Sequence, residues 1–385
     1  MHRQADSQRE AIEDRRDRER SLTVPRGLLT LPVFLPDGTL GVVRSLDSGD
    51  LESVGIEAVQ TNVFHLMQRP GTSVIKAIGG LHAFMGWRGP IVTDSGGFQV
   101  YSLIRQNPRY GQLTPRGLVF RPEDGSRRVV LTPERSVQLQ LGFGADIVIC
   151  LDDCTSADES RAAQAEAVRR TVAWAKKSKE AFERTLAARS RPTGQRPLLF
   201  AVVQGGNERD LRRECAEELL AIGFDGYGLG GWPLDKDGRL LEDIIGYTRS
   251  LIPEDFPMHA LGIGHPDSLV ACASLGYDLF DSTMPTRDAR HGRLYVFCED
   301  PSRTMLRGRW FSYLYIQDEQ HIREKRPVSE HCDCLCCRRY SLAYVHHLFK
   351  VRDGLYHRLA TLHNLRFMVR LVDRLRTLAS THGTG

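Results

Sequence analysis

Short apolar runs that end in polar residues alternate along this chain with longer segments of helical period. The clearest apolar runs occupy residues 57–65, 89–97, 145–153, 198–206, 224–231, 258–264 and 277–283, and helical segments such as 160–187 and 208–222 lie between them. Alternation of this kind predicts βαβ units and a parallel sheet. With one further, less obvious strand, these runs fit a (β/α)8 TIM barrel, for which 385 residues are sufficient. A doubly wound sheet is the alternative, but no glycine-rich dinucleotide fingerprint follows the first strand.

The segments before and after the alternating region have different patterns. Residues 1–22 carry a run of mixed charge, which predicts a flexible tail, and residues 23–385 form the predicted barrel domain. Residues 28–36, followed by the turn at Asp37 and Gly38, predict a small β hairpin that covers the bottom of the barrel. The pattern breaks after Asp281. We therefore predict an inserted subdomain over about residues 292–365, and helices that close the barrel over residues 355–378.

Polar and acidic residues stand at the C-terminal ends of the predicted strands. They are Asn62, Asp94, Asp152, Asp153, Gln204 and Asp281. In a (β/α)8 barrel these ends converge on one mouth, where catalytic residues are located. A single Asp after a strand is usually a loop cap, but this many polar residues on one rim indicate an active site.

Four of the nine cysteines lie within residues 332–337. The C-x-C-x2-C spacing of Cys332, Cys334 and Cys337 places three thiolates on one tight turn, within reach of a single tetrahedral Zn2+. The adjacent Cys336 is a competitor for the ion. A fourth ligand is required, and the candidates are His346, His347, His357 and His363. With four protein ligands the site would be closed and structural.

The chain carries no recognisable signal for a membrane or for secretion. No run approaches the roughly 20 apolar residues of a membrane span, and the N-terminus lacks the apolar core of a signal peptide. The cysteine spacing favours a reducing compartment with one metal site over a disulfide framework. We therefore expect a cytoplasmic protein. The formal net charge is only +4, so a nucleic-acid partner has to be inferred from the local distribution of charge.

Three motifs, taken together, resemble those of one enzyme family. Residues 93–99 read TDSGGFQ, residues 280–287 read FDSTMPTR, and the cysteine cluster follows them. In this order they resemble the bacterial-type tRNA-guanine transglycosylases, also called queuine tRNA-ribosyltransferases. Segments 64–71, 79–87 and 223–227 extend the resemblance over about residues 22–380. The resemblance implies a (β/α)8 barrel with a zinc subdomain, and it implies that His363, in the T-x-H-N segment 361–364, is the fourth zinc ligand.

The resemblance implies a base exchange at the wobble guanosine of a tRNA anticodon, within queuosine biosynthesis. Asp281 would attack the ribose C1′ and hold the RNA covalently, as a carboxylate does in retaining glycosidases. Asp94 would act as the general acid and base. Asp152 would read N1–H and the exocyclic amine of guanine, for which an acceptor-only group is suited.

Further residues of the base pocket follow from the same resemblance. Gln204 and the backbone N–H of Gly231 would address the carbonyl side of the base, Phe98 would stack on it, Ser95 would line the wall, and Leu261 would replace a usual Met. Asp153, Asn62 and Cys154 are expected to support these groups without touching the base.

Basic residues follow the nucleophile segment closely. Arg287 and Arg290 come first and are the predicted RNA contacts. Behind them lie Arg293, Arg303, Arg307, Arg309, Arg323, Lys325 and Arg326. Such a band can follow the phosphates of an anticodon loop, and the target base must leave its stack to enter the pocket. The bacterial members of the family pair through aromatic and His residues near the zinc site, and Phe84, Tyr340, Tyr344 and His347 predict a homodimer by analogy.

The pocket segment 230–236 departs from the family's usual pattern. Trp232 is bulky, Pro233 has no N–H to donate, and His259 stands where a Tyr commonly stacks on the base. Cys154 and Leu234 nevertheless favour 7-aminomethyl-7-deazaguanine over queuine as the incoming base.

Two other functions stay open on the sequence. One is a paralogue that exchanges a deazaguanine base into DNA or another nucleoside substrate. The other is a non-catalytic accessory subunit that binds tRNA, against which the presence of both Asp94 and Asp281 argues.

Overall fold

Eight parallel strands form the barrel that the sequence predicts. The computed structural model describes residues 20–107, 109–121, 128–188 and 196–381. Its strands are β1 (Ser21–Val24), β2 (Gly27–Thr30), β3 (Val33–Pro36), β4 (Val59–Asn62), β5 (Ile91–Asp94), β6 (Gly111–Thr114), β7 (Gly117–Phe120), β8 (Val129–Leu131), β9 (Ile147–Ile149), β10 (Leu198–Val203), β11 (Gly226–Leu229), β12 (Met258–Ala260), β13 (Leu279–Ser282), β14 (Arg293–Phe297) and β15 (Phe311–Tyr315). The barrel order is β3-β13-β12-β11-β10-β9-β5-β4. A parallel bridge between Asp37 and Gln60 joins the end of β3 to β4, so the sheet closes.

Helices alternate with the barrel strands, and further helices follow the last barrel strand. They are α1 (Ser48–Ser53), α2 (Val63–Leu66), α3 (Thr72–Ile78), α4 (Leu81–Met85), α5 (Gly97–Gln106), α6 (Pro133–Phe143), α7 (Arg161–Ala187), α8 (Arg209–Ile222), α9 (Glu242–Ser250), α10 (Pro266–Ser274), α11 (Met284–Arg290), α12 (Leu335–Arg339), α13 (Leu342–Lys350) and α14 (Gly354–Thr381), with a π turn at Met67–Gly71 and a 3-10 turn at Glu319–Arg323. The predicted helices 160–187 and 208–222 are confirmed as α7 and α8. Ser160 caps α7 by accepting the Ala163 N–H at 3.3 Å, which satisfies one of the free donors at the helix start.

A β hairpin closes the bottom of the barrel, but its predicted bounds are wrong. The hairpin consists of β1 and β2, and Val24 and Leu29 pack against side chains of the barrel interior such as Ile149 and Val202. The segment Val33–Pro36, which the sequence assigned to the hairpin, is the first strand of the barrel and pairs with β13. All four of its residues are buried, so it lacks the alternation of a half-exposed strand.

The predicted flexible tail, residues 1–22, overlaps the first strand of the hairpin. Residues 1–19 lie outside the described part of the chain. Strand β1 begins at Ser21, so the last two residues of the segment expected to be a tail are in the hairpin.

The chain after β13 builds a small subdomain beside the barrel. Strands β14 and β15 form an antiparallel ribbon, and α12, α13 and the start of α14 enclose a core that includes Leu294, Val345 and Tyr356. Helix α14 then continues without a break to Thr381, so one helix serves both the subdomain and the barrel wall. In the described ranges, no helix is both long enough and apolar enough to cross a membrane.

Candidate active site and metal centre

The polar residues that the sequence placed at the strand ends meet at one mouth of the barrel. Gln204, Gly231 and Leu261 follow β10, β11 and β12; Asp152 follows β9; and Asn62, Asp94 and Asp281 lie on β4, β5 and β13. Because all eight strands run in the same direction, these C-terminal ends share one rim.

Asp281 has its two carboxylate oxygens in different surroundings. Oδ1 accepts hydrogen bonds from His259 Nε2 and from the backbone N–H of Gly262, both at 2.9 Å. No residue in the described ranges donates to Oδ2. The side chain is 14% exposed, so this oxygen is accessible from the mouth. A carboxylate fixed at one oxygen and open at the other is suited to nucleophilic attack.

Asp94 lies across the mouth and is held by two amides. Gln60 Nε2 donates to Oδ1, and Asn62 Nδ2 donates to Oδ2 at 3.2 Å. Burial raises the pKa of Asp94 well above its ordinary value, and the negative charge of Asp281 raises it further. Two carboxylates in one apolar site resist simultaneous ionisation. The raised pKa of Asp94 therefore allows it to hold and release a proton beside Asp281.

Asp152 and Gln204 form the floor of the predicted base pocket. Gln204 Nε2 donates to Asp152 Oδ2 at 2.7 Å, and the Ser95 side chain hydrogen-bonds the same carboxylate. Burial raises the pKa of Asp152 to about 6, so the carboxylate is an acceptor at neutral pH. The second N–H of the Gln204 amide remains for a carbonyl of the base.

Arg212 holds the backbone near Gly231 through hydrogen bonds. This buried guanidinium donates to the carbonyl oxygens of Val203, Gly206 and Gly230 at 2.7–3.0 Å. Gly231 itself has a φ of +86°, a conformation that favours glycine. The loop that would present its N–H to a base is therefore held in one shape.

Phe98 and Trp232 form an aromatic pair at the pocket entrance. Their rings stack with centroids 6.0 Å apart and an interplanar angle of 24°. Trp232 is 49% exposed and Phe98 is 40% exposed, so the bulky Trp lies against Phe98 and does not fill the pocket. Cys154 and Thr155 line the small cavity beside the pair.

Two functional residues were not found by the sequence reasoning. Gln60, which donates to Asp94, lies inside a strand and precedes the polar strand end that was noticed. His259 was expected at a base-stacking position, but it is fully buried and its Nε2 faces Asp281, the predicted nucleophile. A polar residue inside a buried parallel strand is the signal that could have identified both.

The arginines that follow Asp281 in the sequence differ in the contacts that their side chains make. Arg287 and Arg290 lie on α11, and Nη1 of Arg290 is buried with no partner among the described residues. Arg293, by contrast, pairs with Asp288 and lies 4.9 Å from the ring centre of Tyr313. Arg287 and Arg290 thus remain the better candidates for contact with phosphates.

The four predicted metal ligands are brought together in the subdomain. The Sγ atoms of Cys332, Cys334 and Cys337 and the Nδ1 atom of His363 all lie within 4.8 Å of one another. Nδ1 is 3.8 Å from Cys334 Sγ and 3.2 Å from Cys337 Sγ, near the ~3.6 Å that a tetrahedral zinc site requires. The other ring nitrogen of His363 lies 2.8 Å from the Tyr295 carbonyl, which leaves Nδ1 for the metal. The residues fit a structural metal ion.

Comparison with known proteins points to one family. A family model described as queuine tRNA-ribosyltransferase matches residues 14–380. The queuine tRNA-ribosyltransferase of Marinobacter nauticus is 39% identical over 365 residues, which cover 94% of this chain and 90% of that protein. The protein of the same name from Methylacidiphilum infernorum is 39% identical over 94% of this chain and 91% of its own. That from Thermoanaerobacter pseudethanolicus is 37% identical over 92% of this chain and 88% of its own.

Proposed function

The chain belongs to the queuine tRNA-ribosyltransferase family, and from this membership we propose that it exchanges the wobble guanine of a tRNA for a 7-deazaguanine base through a covalent enzyme–RNA intermediate. It is a pentosyltransferase that acts in tRNA modification. The observation that carries the proposal is the pair of carboxylates at the mouth. Asp281 has one oxygen fixed and one open, and Asp94 is in an environment that favours its protonated form.

In the first half-reaction the open oxygen of Asp281 attacks the ribose C1′. The bond between C1′ and guanine N9 breaks, and its electron pair leaves with the base. Asp94 supplies the proton that the departing guanine requires, as its raised pKa permits. His259 and Gly262 hold the other oxygen of Asp281, so that the attacking oxygen keeps its direction.

In the second half-reaction the incoming base reverses these steps. Its five-membered-ring N–H gives its proton to Asp94, the ring nitrogen bonds to C1′, and the ester bond to Asp281 breaks. The carboxylate is thereby restored. Asp152, Gln204 and the N–H of Gly231 orient the base through its polar edge.

We propose 7-aminomethyl-7-deazaguanine as the incoming base. The carbonyl of Trp232 can accept a hydrogen bond from an aminomethyl group, whereas Pro233 has no N–H for an acceptor substituent. The stacked pair of Phe98 and Trp232 narrows the entrance next to Cys154. A small substituent suits this entrance better than the cyclopentenediol of queuine.

We propose Zn2+ as the metal of the cysteine cluster, with a structural role. Three thiolates and one imidazole are the donor set that zinc prefers in closed sites. The metal would join the turn that carries Cys332 to helix α14, which carries His363.

We also propose a homodimer in the cytoplasm. Tyr340 and Tyr344 stack with centroids 5.2 Å apart, and Tyr344 is 39% exposed. Leu40 and Val42 are exposed on either side of Gly41, which packs on Phe84. Exposed aromatic and aliphatic side chains of this kind are typical of a symmetric interface. The nine free cysteines suit a reducing compartment.

An exchange assay tests the proposed reaction. Labelled guanine is incubated with the protein and either an unmodified tRNA or a DNA stem-loop of the same sequence. We expect incorporation into the tRNA only, and competition by the aminomethyl base at lower concentrations than by queuine. Asp281→Asn should abolish incorporation, whereas Asp243→Asn, the same change at a side chain that is 86% exposed, should not. Faster incorporation into the DNA would favour the paralogue.

A further inference from the structure

A third carboxylate, Asp37, lies at the reaction centre and has no part in the chemistry above. It directly follows β3, which pairs with β13, so that Pro36 stands opposite Ser282 next to the nucleophile. On its other side Asp37 bridges to Gln60, whose amide donates to Asp94. In the order of the barrel strands, Asp37 therefore lies between the two catalytic carboxylates. The strands that carry the base pocket, β9, β10 and β11, lie on the other side of the barrel.

The carboxylate of Asp37 has an acceptor to spare. The Thr39 hydroxyl donates to Oδ1, and the Thr39 backbone also hydrogen-bonds the carboxylate. Both donors belong to one residue, so the carboxylate keeps acceptor capacity for a further donor. The charge of Arg44 acts on Asp37, and the charges of Asp37 and Arg44 act on Arg290. Neither arginine forms an ion pair with Asp37 among the described residues. Asp37 is half-buried, and its charge interacts with those of Asp281 and Asp94, so its carboxylate lies near both.

The neighbouring Gln60 supplies an independent sign that a ligand binds here. Gln60 is 1% exposed, and its Oε1 has no hydrogen-bond partner in the described part of the chain. A buried acceptor without a partner is costly, so a donor from a ligand is expected at this wall. Gln60 and Asp37, which are joined by a backbone bridge, thus both have acceptor capacity to spare between Asp281 and Asp94.

The position of the target nucleotide determines which of its groups can donate a hydrogen bond to Asp37 and Gln60. If the base lies over Asp152 and C1′ lies at Asp281, the sugar extends to the side away from the base pocket. Inside a polynucleotide the 3′ and 5′ oxygens are esterified, so the 2′-hydroxyl is the one hydrogen-bond donor on the sugar. This hydroxyl is also the group by which a protein distinguishes RNA from DNA.

We propose that Asp37 accepts a hydrogen bond from the 2′-hydroxyl of the target nucleotide, with Gln60 beside it, and thereby selects a ribonucleotide over a deoxyribonucleotide. This inference rests on the proposed base exchange. In this proposal Asp37 contacts the sugar and determines specificity for ribose. The base is selected by other residues of the site.

The test uses two stem-loop RNAs that differ in one atom. One is all ribose, and the other carries a single 2′-deoxyguanosine at the target position. The ratio of kcat/KM for the ribo substrate to that for the deoxy substrate is measured in the wild type and in Asp37→Ala. We expect the variant to lower this ratio about 10- to 100-fold, since a hydrogen bond to an ionised group contributes that much. The comparison of ratios removes the intrinsic effect of the 2′-hydroxyl on glycosidic bond cleavage.

Control variants separate recognition from charge and from folding. Glu52→Gln removes one negative charge at an exposed position of α1 and should leave the ratio unchanged. Asp37→Asn keeps the shape and one acceptor, so its ratio should lie between those of the wild type and Asp37→Ala. An unchanged ratio in both Asp37 variants, with exchange otherwise active, would overturn the assignment of Asp37 alone. Absence of guanine exchange in the wild type on the all-ribose RNA would overturn the proposed function as well.

Discussion

At Asp281, two hydrogen bonds converge on one oxygen, and this asymmetry gives His259 a definite role. Its Nε2 donates to the oxygen that does not attack, 2.9 Å away. His259 is fully buried, so it is not positioned to contact a base in the open mouth. Its effect on the reaction should therefore pass through the nucleophile and not through the base.

We expect His259→Ala to lower kcat about 10- to 100-fold and to leave the KM for guanine nearly unchanged. The lost bond holds a charged group, and such bonds contribute about 1.5–3 kcal/mol. His259→Gln, which keeps a donor N–H, should recover part of the rate. Steady-state kinetics of guanine exchange measure both quantities. A higher KM at constant kcat in His259→Ala would instead assign His259 to base binding.

The raised pKa of Asp152 predicts a pH-dependent affinity of the free enzyme for the base. Burial raises its pKa to about 6, so the carboxylate is ionised above pH 6 and gains a proton as the pH falls through that value. The protonated form loses acceptor capacity for N1–H and the amine of guanine. We expect the Kd of guanine, measured by calorimetry without tRNA, to rise up to about tenfold per pH unit below pH 6. Asp152→Asn should bind weakly with no such dependence, and a constant wild-type Kd from pH 7.5 to 5 would contradict this role.

At this scale, polar residues at strand ends were easier to identify from the sequence than polar residues inside strands. Asp94 and Asp281 stand out because several polar residues share the strand ends, although a single Asp there is usually a loop cap. Gln60 and His259 lie within their strands, where the direction of a side chain depends on the register of the sheet. That register is set by contacts between strands far apart in sequence, so the direction could not be read from either residue alone.

At the scale of elements, the continuous helix α14 explains how the metal centre supports the fold. His363 lies on this helix, and the adjacent Asn364 accepts the Tyr295 N–H and donates to the carbonyls of Pro285 and Arg293, all at 3.0 Å. These bonds join α14 to β14 and to the start of α11, which directly follows the nucleophile strand. A metal ion at His363 would stabilise the same junction.

Loss of one metal ligand should therefore destabilise the protein without removing a catalytic group. We expect Cys337→Ser to lose most of its zinc and to lower Tm by at least about 5 °C, since structural zinc contributes several kcal/mol to folding. Cys336→Ser, the same change at the adjacent residue outside the ligand cluster, should keep about one equivalent of zinc. Elemental analysis and differential scanning calorimetry measure these effects. Equal zinc content in the two variants would refute the ligand assignment.

Some strands were located correctly from the sequence, and one was not. Strands that end in a polar residue and precede an amphipathic helix were located by their pattern, as β5 and β13 show. Strand β3 was mistaken for part of a hairpin because its four residues are all buried and because it follows a true hairpin closely. Burial on both faces removes the alternation on which the prediction relied.

At the scale of the whole molecule, the exposed surface near Tyr344 predicts that two copies of the chain form a dimer. We expect light scattering at micromolar concentration to give about 87 kDa, twice the chain mass of 43.4 kDa. Tyr344→Glu places a charge in the stacked aromatic pair and should shift the protein to the monomer. Tyr101→Glu, which changes a Tyr on α5, is the control and should remain dimeric. A monomeric wild type would refute the proposed interface.

The barrel and the metal subdomain followed from the sequence because local and global signals agree. Alternating strands and helices, polar strand ends and a compact cysteine cluster all indicate a barrel with one metal subdomain. The relation of Asp37 to Asp281 did not follow, because it depends on closure of the barrel between its first and last strands. That contact joins residues more than 200 positions apart and has no local signature.

The covalent intermediate at Asp281 is the central claim, and trapping it is the most direct test. The protein is incubated with unmodified tRNA in the absence of free base, denatured, and separated on a gel that resolves free tRNA from a protein–RNA adduct. We predict an adduct in the wild type, mapped by mass spectrometry of its peptides to Asp281, and none in Asp281→Asn. An adduct of equal yield in Asp281→Asn, or one that maps to another residue, would contradict the mechanism.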